Sequence, residues 1–573
     1  MRRLLGYWAL SLLRLDFSGV AVAALFFCLS LTPSLMPRDW VLAGVIGGIN
    51  AVIGYAIGVL GGIAVRRLLL RGRRWWPLAR SRRYALQAAV AVASAGAALL
   101  MIGPAAAWQR QIAAVMGSDG PDTAGFLRTV PIAILTAAVL IAGARIVKDA
   151  IRFLARAMIR RWHIDDEVAP FIGTAIVVMV AVLLVNGVLY RGFVAGANAV
   201  FQPRNATTRP GIEQPTETER SGSATSFAAW ETLGFQGRNF VATGPRAAEL
   251  TAINGRPARE PIRIYAGLDT ASSIAGRTAV LLSELQRTRA FERKALVIIP
   301  TTGTGWVDPV AARSIESMYN GDTALVAMQY SYLPSWISFL VDEQKSIDAG
   351  KALIDAVVQR WTHWDPQRRP RLMLYGESLG SLSGQGAFGY LPDVANKGFS
   401  SVLWVGPPNA SPLWQALTTR RDPGSPEVQP RYDNGRVVRF AQASGAAEIA
   451  GVAAPVWGTT RVLFLQHASD PVVWWSPALL FEKPDWLAEP PGDDRSPSMR
   501  WYPIVTFWQV SADMMGNVTS SESAPAGHGH NYGDNQLDGW VAVAAPEGWT
   551  DLDTDRVRRA LDKAMSAGGP EFE

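Results

Sequence analysis

The sequence predicts two parts of different class: an N-terminal α-helical transmembrane bundle, then an α/β domain whose sheet is mostly parallel and covered by helices. Three observations carry this expectation. Residues 1–194 contain five uncharged, apolar stretches. From about residue 239, short apolar runs alternate with helical segments, the pattern of a covered parallel sheet. One of those runs, Leu372–Tyr375, passes into G-E-S-L-G at 376–380, a sharp strand-to-helix turn that holds a serine hydroxyl clear of the sheet.

Composition agrees with a membrane part joined to a globular one. Of 573 residues 49% are hydrophobic and only 18% charged, against about 25% in soluble domains, and the length allows two or three domains. The net charge of +7 is unevenly spread: residues 1–194 hold 21 Lys/Arg against 8 Asp/Glu, +13, which leaves −6 for the remainder. The arginines sit between apolar stretches, where they meet anionic lipid headgroups, so membrane lipids and not nucleic acid are the expected partners. The single cysteine, Cys28, excludes an intramolecular disulfide and a Cys-based zinc site. No metal and no organic cofactor is expected.

In chain order, Phe17–Met36, Trp40–Val65, Ala85–Trp108, Thr129–Ala144 and Ala169–Tyr190 are the predicted spans, each near the ~20 residues that cross the hydrocarbon. Arg66, Arg67, Arg71, Arg73, Arg74, Arg80, Arg82 and Arg83 mark a cytoplasmic loop. Arg145, Lys148, Arg152, Arg156 and Arg160 recur at three- and four-residue steps, as in a basic amphipathic helix or an extension of the preceding span. With Arg2 and Arg3 also inside, five spans place everything after Tyr190 outside the cytoplasm, in an integral protein of the cytoplasmic (inner) membrane. Residues 195–238, with a polar stretch rich in Pro, Thr and Ser at 202–226, form a linker or irregular shoulder, and 239–573 form the α/β domain.

Within that domain the predicted strands are Ile262–Tyr265, Ala295–Ile299, Ala324–Gln329, Arg371–Tyr375, Ser401–Val405, Arg461–Gln466 and Ile504–Val510. The predicted helices are Ser272–Leu285, Pro309–Tyr319, Val341–Trp361, Leu379–Phe388 and Leu552–Met565, the last capped by Thr550 or Asp551.

Ser378 is a poor nucleophile unless a base takes its proton, so the turn calls for a histidine held by a carboxylate. Gly376 and Gly380 give the backbone room to turn around it. Of five histidines, His163 lies among the basic residues, His363 precedes the strand leading to Ser378, and His467 ends a strand. His528 and His530 fall in the glycine-rich loop P-A-G-H-G-H-N-Y-G-D before the last helix. Asn531 and Tyr532 favour His530, which they could pin, while His528 stays open as the alternative base. Asp470, in H-A-S-D-P-V after a strand, is the candidate acid; an Asp-Pro turn initiator is the bland alternative.

Acyl chemistry also needs amides to hold an oxyanion. Leu379 offers one, and Thr302 or Gly303, in the loop P-T-T-G-T-G-W after a strand, offers the second. A phosphate-binding loop is the competing explanation, but no Gly-Lys-Ser/Thr follows. Aromatic stretches at 330–341 and 472–481 suit either core helices or an acyl-chain pocket.

L-T-P-S-L-M-P-R at 31–38, G-E-S-L-G-S at 376–381, Q-H-A-S-D-P-V-V-W-W at 466–475 and G-H-G-H-N-Y at 527–532 resemble the bacterial membrane-anchored α/β-hydrolase family that joins an N-terminal multi-span domain to a C-terminal serine-hydrolase domain. The resemblance covers nearly the whole chain. It implies Ser378, Asp470 and one of the paired histidines as a hydrolase triad, and it implies no substrate. The sequence therefore points to a serine esterase or lipase-like enzyme acting on an ester or acyl-lipid substrate. The alternatives are an envelope acyltransferase with the same triad and a catalytically idle receptor or transport module.

Overall fold

The computed structural model describes residues 16–68, 80–162, 165, 168–184, 187, 190–442, 456–518, 527–533 and 535–568. Arg2, Arg3, His163 and most of the basic loop lie outside these residues. The chain forms two compact units: Met1–Gly192 with Pro477–Leu487 and Arg495–Gly516, and Phe193–Ser476 with Ala488–Asp494 and Asn517–Glu573.

The first unit is helical: α1 (Phe17–Ser30), α2 (Trp40–Leu68), α3 (Arg80–Val115), α4 (Thr129–Trp162) and α5 (Ala169–Leu183). By length and composition, Trp40–Val65, Ala85–Val115 and Thr123–Arg161 can cross a bilayer, whereas Phe17–Ser30 and Phe171–Leu183 are apolar but shorter. Three of the five predicted spans therefore stand on length. α1 stops at Ser30, short of Met36, because Pro33 and Pro37 bar the residues before them from helical backbone. α4 is one continuous helix of 34 residues, so the basic series from Arg145 extends a span. Two small-xxx-small pairs on α2, Gly44 with Gly48 and Gly54 with Gly58, let it approach its neighbours. A Cβ on Gly48 would lie 2.7 Å from the Ala133 carbonyl oxygen of α4, and one on Gly58 would lie 2.5 Å from that of Ser18 in α1.

A helix from much later in the chain, Val505–Val518, completes this unit. The strand predicted at Ile504–Val510 is thus incorrect. The apolar run continues through A-D-M-M-G, and its polar members Gln509 and Asp513, four residues apart, share one helix face. Gln509 Nε2 donates to the carbonyls of Ser30 (3.2 Å) and Thr32 (3.0 Å). Asp513 accepts from the Leu35 amide (2.9 Å), the Ser34 hydroxyl (3.1 Å) and Arg38 Nε (2.7 Å). The ion pair is shut off from solvent, its side chains 2% and 0% exposed. The T-P-S-L-M-P-R segment is thus a socket for a distant helix.

Among the described residues the second unit is built on seven parallel strands: β1 (Ile262–Ala266), β2 (Ala295–Pro300), β3 (Thr323–Met328), β4 (Arg371–Glu377), β5 (Phe399–Val405), β6 (Val438–Ala441) and β7 (Arg461–Leu465), ordered β1-β3-β2-β4-β5-β7-β6. Every residue of β1, β2 and β3 is buried, as expected of strands covered on both faces. One layer holds α6 (Ile274–Arg287), α7 is on the other (Pro309–Met318), and α8 (Glu343–Thr362) and α9 (Leu379–Gln385) join α6. α10 (Asn535–Ala544) and α11 (Asp551–Ser566) pack with α7, and α11 begins in a capping box between Thr550 and Asp553. β6 escaped prediction because it is a four-residue edge strand interrupted by Arg439. The polar shoulder is tied to β1: Ser221 N donates to Arg263 O at 3.0 Å, and buried Arg220 pairs with Glu260 at 3.0 Å.

Asp513→Ala is expected to destabilise the helical unit by about 3–5 kcal/mol, because it leaves Arg38 a buried charge without its partner. Joint replacement, Arg38→Met with Asp513→Leu, is expected to lose less than Asp513→Ala alone. Thermal unfolding of the detergent-solubilised chain compares them; a double variant as weak as the sum of its singles would show that the two side chains do not act as a pair.

Candidate active site

The strand order itself makes a crevice. From β2 the chain moves to β3 on one side, and from β4 it moves to β5 on the other, so the loops leaving the adjacent ends of β2 and β4 diverge. The loop after β2 begins at Thr301, and the turn after β4 is Ser378. Ser378 has φ 52° and ψ −124°, a conformation that costs a non-glycine residue about 1–3 kcal/mol. Its amide is anchored to the Val405 carbonyl of β5 at 2.8 Å. The flanking glycines are steric necessities: a Cβ on Gly376 would lie 2.6 Å from the Gly380 carbonyl oxygen, and one on Gly380 only 2.3 Å from that of Pro300.

Asp470 follows β7 and is fully buried. Its Oδ1 accepts from the Val472 amide at 2.8 Å and caps the short helix Pro471–Trp474. Its Oδ2 meets His530 Nδ1 at 2.8 Å and accepts from the Tyr532 hydroxyl at 2.7 Å. Turn initiation and histidine orientation are thus divided between two oxygens of one carboxylate. The His530 ring covers Gly406, which continues β5 one residue beyond the Ser378 anchor. Gly406 has φ 51°, and a Cβ there would stand 2.7 Å from His530 Cε1.

Of the paired histidines, only His530 reaches Asp470. His528 Nδ1 lies 3.4 Å from Asp494 Oδ2, and Asp494 also binds the Ser469 hydroxyl. His467 is buried, stacks on Tyr532 at 4.0 Å between centroids, and donates through Nδ1 to the Gly529 carbonyl at 2.8 Å. Burial lowers its pKa. For His530 burial also acts downward, but the Asp470 charge and hydrogen bond, with Glu377, outweigh it and raise the pKa.

Glu377, the residue before the serine, was not anticipated. It is 7% exposed, and the Tyr375 hydroxyl donates to its Oε2 at 2.8 Å. Burial, then the nearby Asp308 carboxylate, push its pKa up to about 8. Its place inside G-x-S-x-G was the only available signal, since that pattern leaves its second position open.

Among the described residues, no acceptor engages the amides of Leu379 or Gly303, whereas the Thr302 amide faces the Trp306 carbonyl at 3.4 Å. The first aromatic stretch divides: Tyr330 and Leu333 are core, while Tyr332 and Trp336 line a cavity of about 480 Å³ next to Thr302. In the second, Trp474 is buried and Trp475 meets Phe339 edge-on at 5.9 Å. Among the described residues no group of three or more His, Cys, Asp and Glu side chains is arranged to hold a metal.

A covered parallel sheet, a strained serine at its switch point and a carboxylate-held histidine from a late loop define the class of α/β-hydrolases. The chain belongs to the alpha/beta-hydrolase family, whose profile matches residues 262–557; the profile for the N-terminus of an alpha/beta-hydrolase family matches residues 31–245. No match was found among curated proteins or among solved structures.

Gly380→Ala is expected to destabilise the second unit by about 1–3 kcal/mol through overpacking against Pro300. Its unfolding midpoint measures this; a midpoint equal to that of the parent chain would mean that the two backbones yield freely.

Proposed function

We propose that this chain is a membrane-anchored serine hydrolase, esterase- or lipase-like, acting through an acyl-serine intermediate on an ester. The observation that carries the proposal is the Asp470–His530 hydrogen bond of 2.8 Å, with the His530 ring against Gly406, next to the Val405 whose carbonyl anchors the Ser378 amide. Neutral His530, its Nδ1–H donated to Asp470, takes the Ser378 proton at Nε2 as Oγ attacks the ester carbonyl. The resulting oxyanion is held by the Leu379 amide and that of Gly303 or Thr302. Collapse breaks the acyl–oxygen bond, and the histidine returns the proton to the departing alcohol. Water, deprotonated by the same histidine, then attacks the acyl-serine, and the proton passes to Ser378 as the acid leaves. Asp470 stays ionised throughout, stabilising the imidazolium.

Ser378→Ala is expected to lower turnover of a short-chain nitrophenyl ester by roughly 10⁴–10⁶ while the fold persists. A fluorophosphonate probe is expected to label the parent protein alone. Near-full turnover by the variant, or no labelling of folded parent protein, sinks the proposal. The base works only when neutral, so kcat/KM is expected to rise with pH through the His530 pKa, which lies above the ordinary 6.5. An acid limb centred below that value would contradict the Asp470 influence.

The apolar helices support membrane anchoring, and the arginine bias supports an extracytoplasmic hydrolase unit, which five crossings would require. Cys28→Ser combined with Thr216→Cys, an exposed position in the shoulder, tests this. A membrane-impermeant maleimide is expected to label Thr216→Cys in intact cells. Labelling only after lysis would place the hydrolase unit in the cytoplasm.

A further inference from the structure

The cavity beside Thr302 encloses about 480 Å³, within the range of small-molecule sites, and Arg204, Asn205, Phe235, Thr302, Trp306 and Trp336 form much of its wall. Among the described residues its lining contains one cation and no carboxylate. Thr302 lies two residues beyond Pro300, whose carbonyl abuts Gly380, itself two residues beyond Ser378. The cavity is thus lined by the same loop after β2 that packs against the turn of the candidate nucleophile.

Among the described residues, one polar group in this wall lacks a hydrogen-bond partner, and a second, a cation, lacks a counter-ion. Asn205 is 6% exposed, and its Oδ1 accepts from the Phe235 amide (3.3 Å) and Gln329 Nε2 (3.0 Å). A backbone N–H can only donate, so the side-chain amide has one orientation, and its Nδ2 is buried without an acceptor among the described residues. Such a donor carries a desolvation penalty that a ligand acceptor would relieve. Arg204 lies over the Phe235 ring, 5.7 Å from its centroid, and has no carboxylate partner among the described residues. The carboxylate of Asp269 is engaged by the Tyr332 hydroxyl at 3.0 Å. Asn205 is fixed by folding, Arg204 adds a positive charge over Phe235, and the aromatic walls are apolar, which suits an apolar body ending in an oxyanion.

We propose that this cavity is the substrate pocket and that it selects an ester bearing a carboxylate or phosphate group, held by Arg204 and Asn205 Nδ2 with its apolar portion between the indoles. The substrate assignment rests on the serine-hydrolase reading.

The test uses the full chain in detergent micelles with two near-isosteric substrates, 4-nitrophenyl valerate and the 4-nitrophenyl monoester of glutaric acid. The parent protein is expected to prefer the charged ester by about tenfold or more in kcat/KM, as a charge-assisted contact allows. Arg204→Gln is expected to reduce that ratio about tenfold. Asn205→Asp keeps an oxygen for the Phe235 and Gln329 donors but replaces the free N–H with negative charge, and is expected to invert the preference. A ratio unchanged across all three proteins overturns the pocket. In parallel, glutarate and inorganic phosphate are each tested for raising the thermal midpoint of Ser378→Ala protein. Stabilisation lost on adding Arg204→Gln supports the pocket, and the stronger ligand tells carboxylate from phosphate. That stabilisation without turnover of either ester would sink the hydrolase reading and uphold the anion site; turnover without charge preference or stabilisation would do the reverse.

Discussion

The hydrolase unit depends on a steric constraint between two backbones. The Pro300 carbonyl at the end of β2 and Gly380 in the first turn of α9 approach so closely that a Cβ on Gly380 would lie 2.3 Å from the oxygen. This contact closes the crevice between neighbouring parallel strands whose connections run in opposite directions. It holds the loop that carries Thr302 and Gly303 against the turn that carries Ser378. The strain at φ 52° persists because Val405 and the glycine packing around it leave the turn no other path.

A second economy lies in Asp470. A carboxylate has about four acceptor sites, and here three donors from different elements use them: the Val472 amide, the Tyr532 hydroxyl and the His530 ring. The aspartate is therefore as much a structural node as an electrostatic one. Tyr532 also stacks on His467, which ties the late histidine loop to the end of β7. The two histidines separated by one residue consequently meet different carboxylates, Asp470 and Asp494.

Much of this was legible from residue patterns, for identifiable reasons. Six of the seven strands are buried apolar runs bounded by turn residues, and such runs announce themselves without any neighbour. Ser378 and Asp470 sit in short turns after strands, marked by glycine or proline, so their places in the topology could be inferred; the paired histidines lie in a glycine-rich loop that follows a helix, Val505–Val518, and not a strand. What failed was whatever depends on a distant partner. Val505–Val518 looked like a strand because its polar face is explained only by residues 29–38. Asp494 and Asn205 lie in segments with no local pattern, and their significance comes from what they touch. Glu377 was overlooked because a charged residue beside a serine says nothing until its burial is known.

The pairing of Arg38 with Asp513 spans 475 positions of the chain. At a synthesis rate of about 5–20 residues per second, roughly half a minute to a minute and a half separates the two residues' emergence from the ribosome. Throughout that interval the first helices exist without the helix that neutralises their buried arginine. The socket at 31–38 must stay hydrated or be sheltered by a helper while everything up to the later helix is made. The last step of maturation for the N-terminal helices thus waits on nearly the end of translation, and a chain truncated before residue 513 would present an unfilled, charged socket to the cell's quality-control machinery.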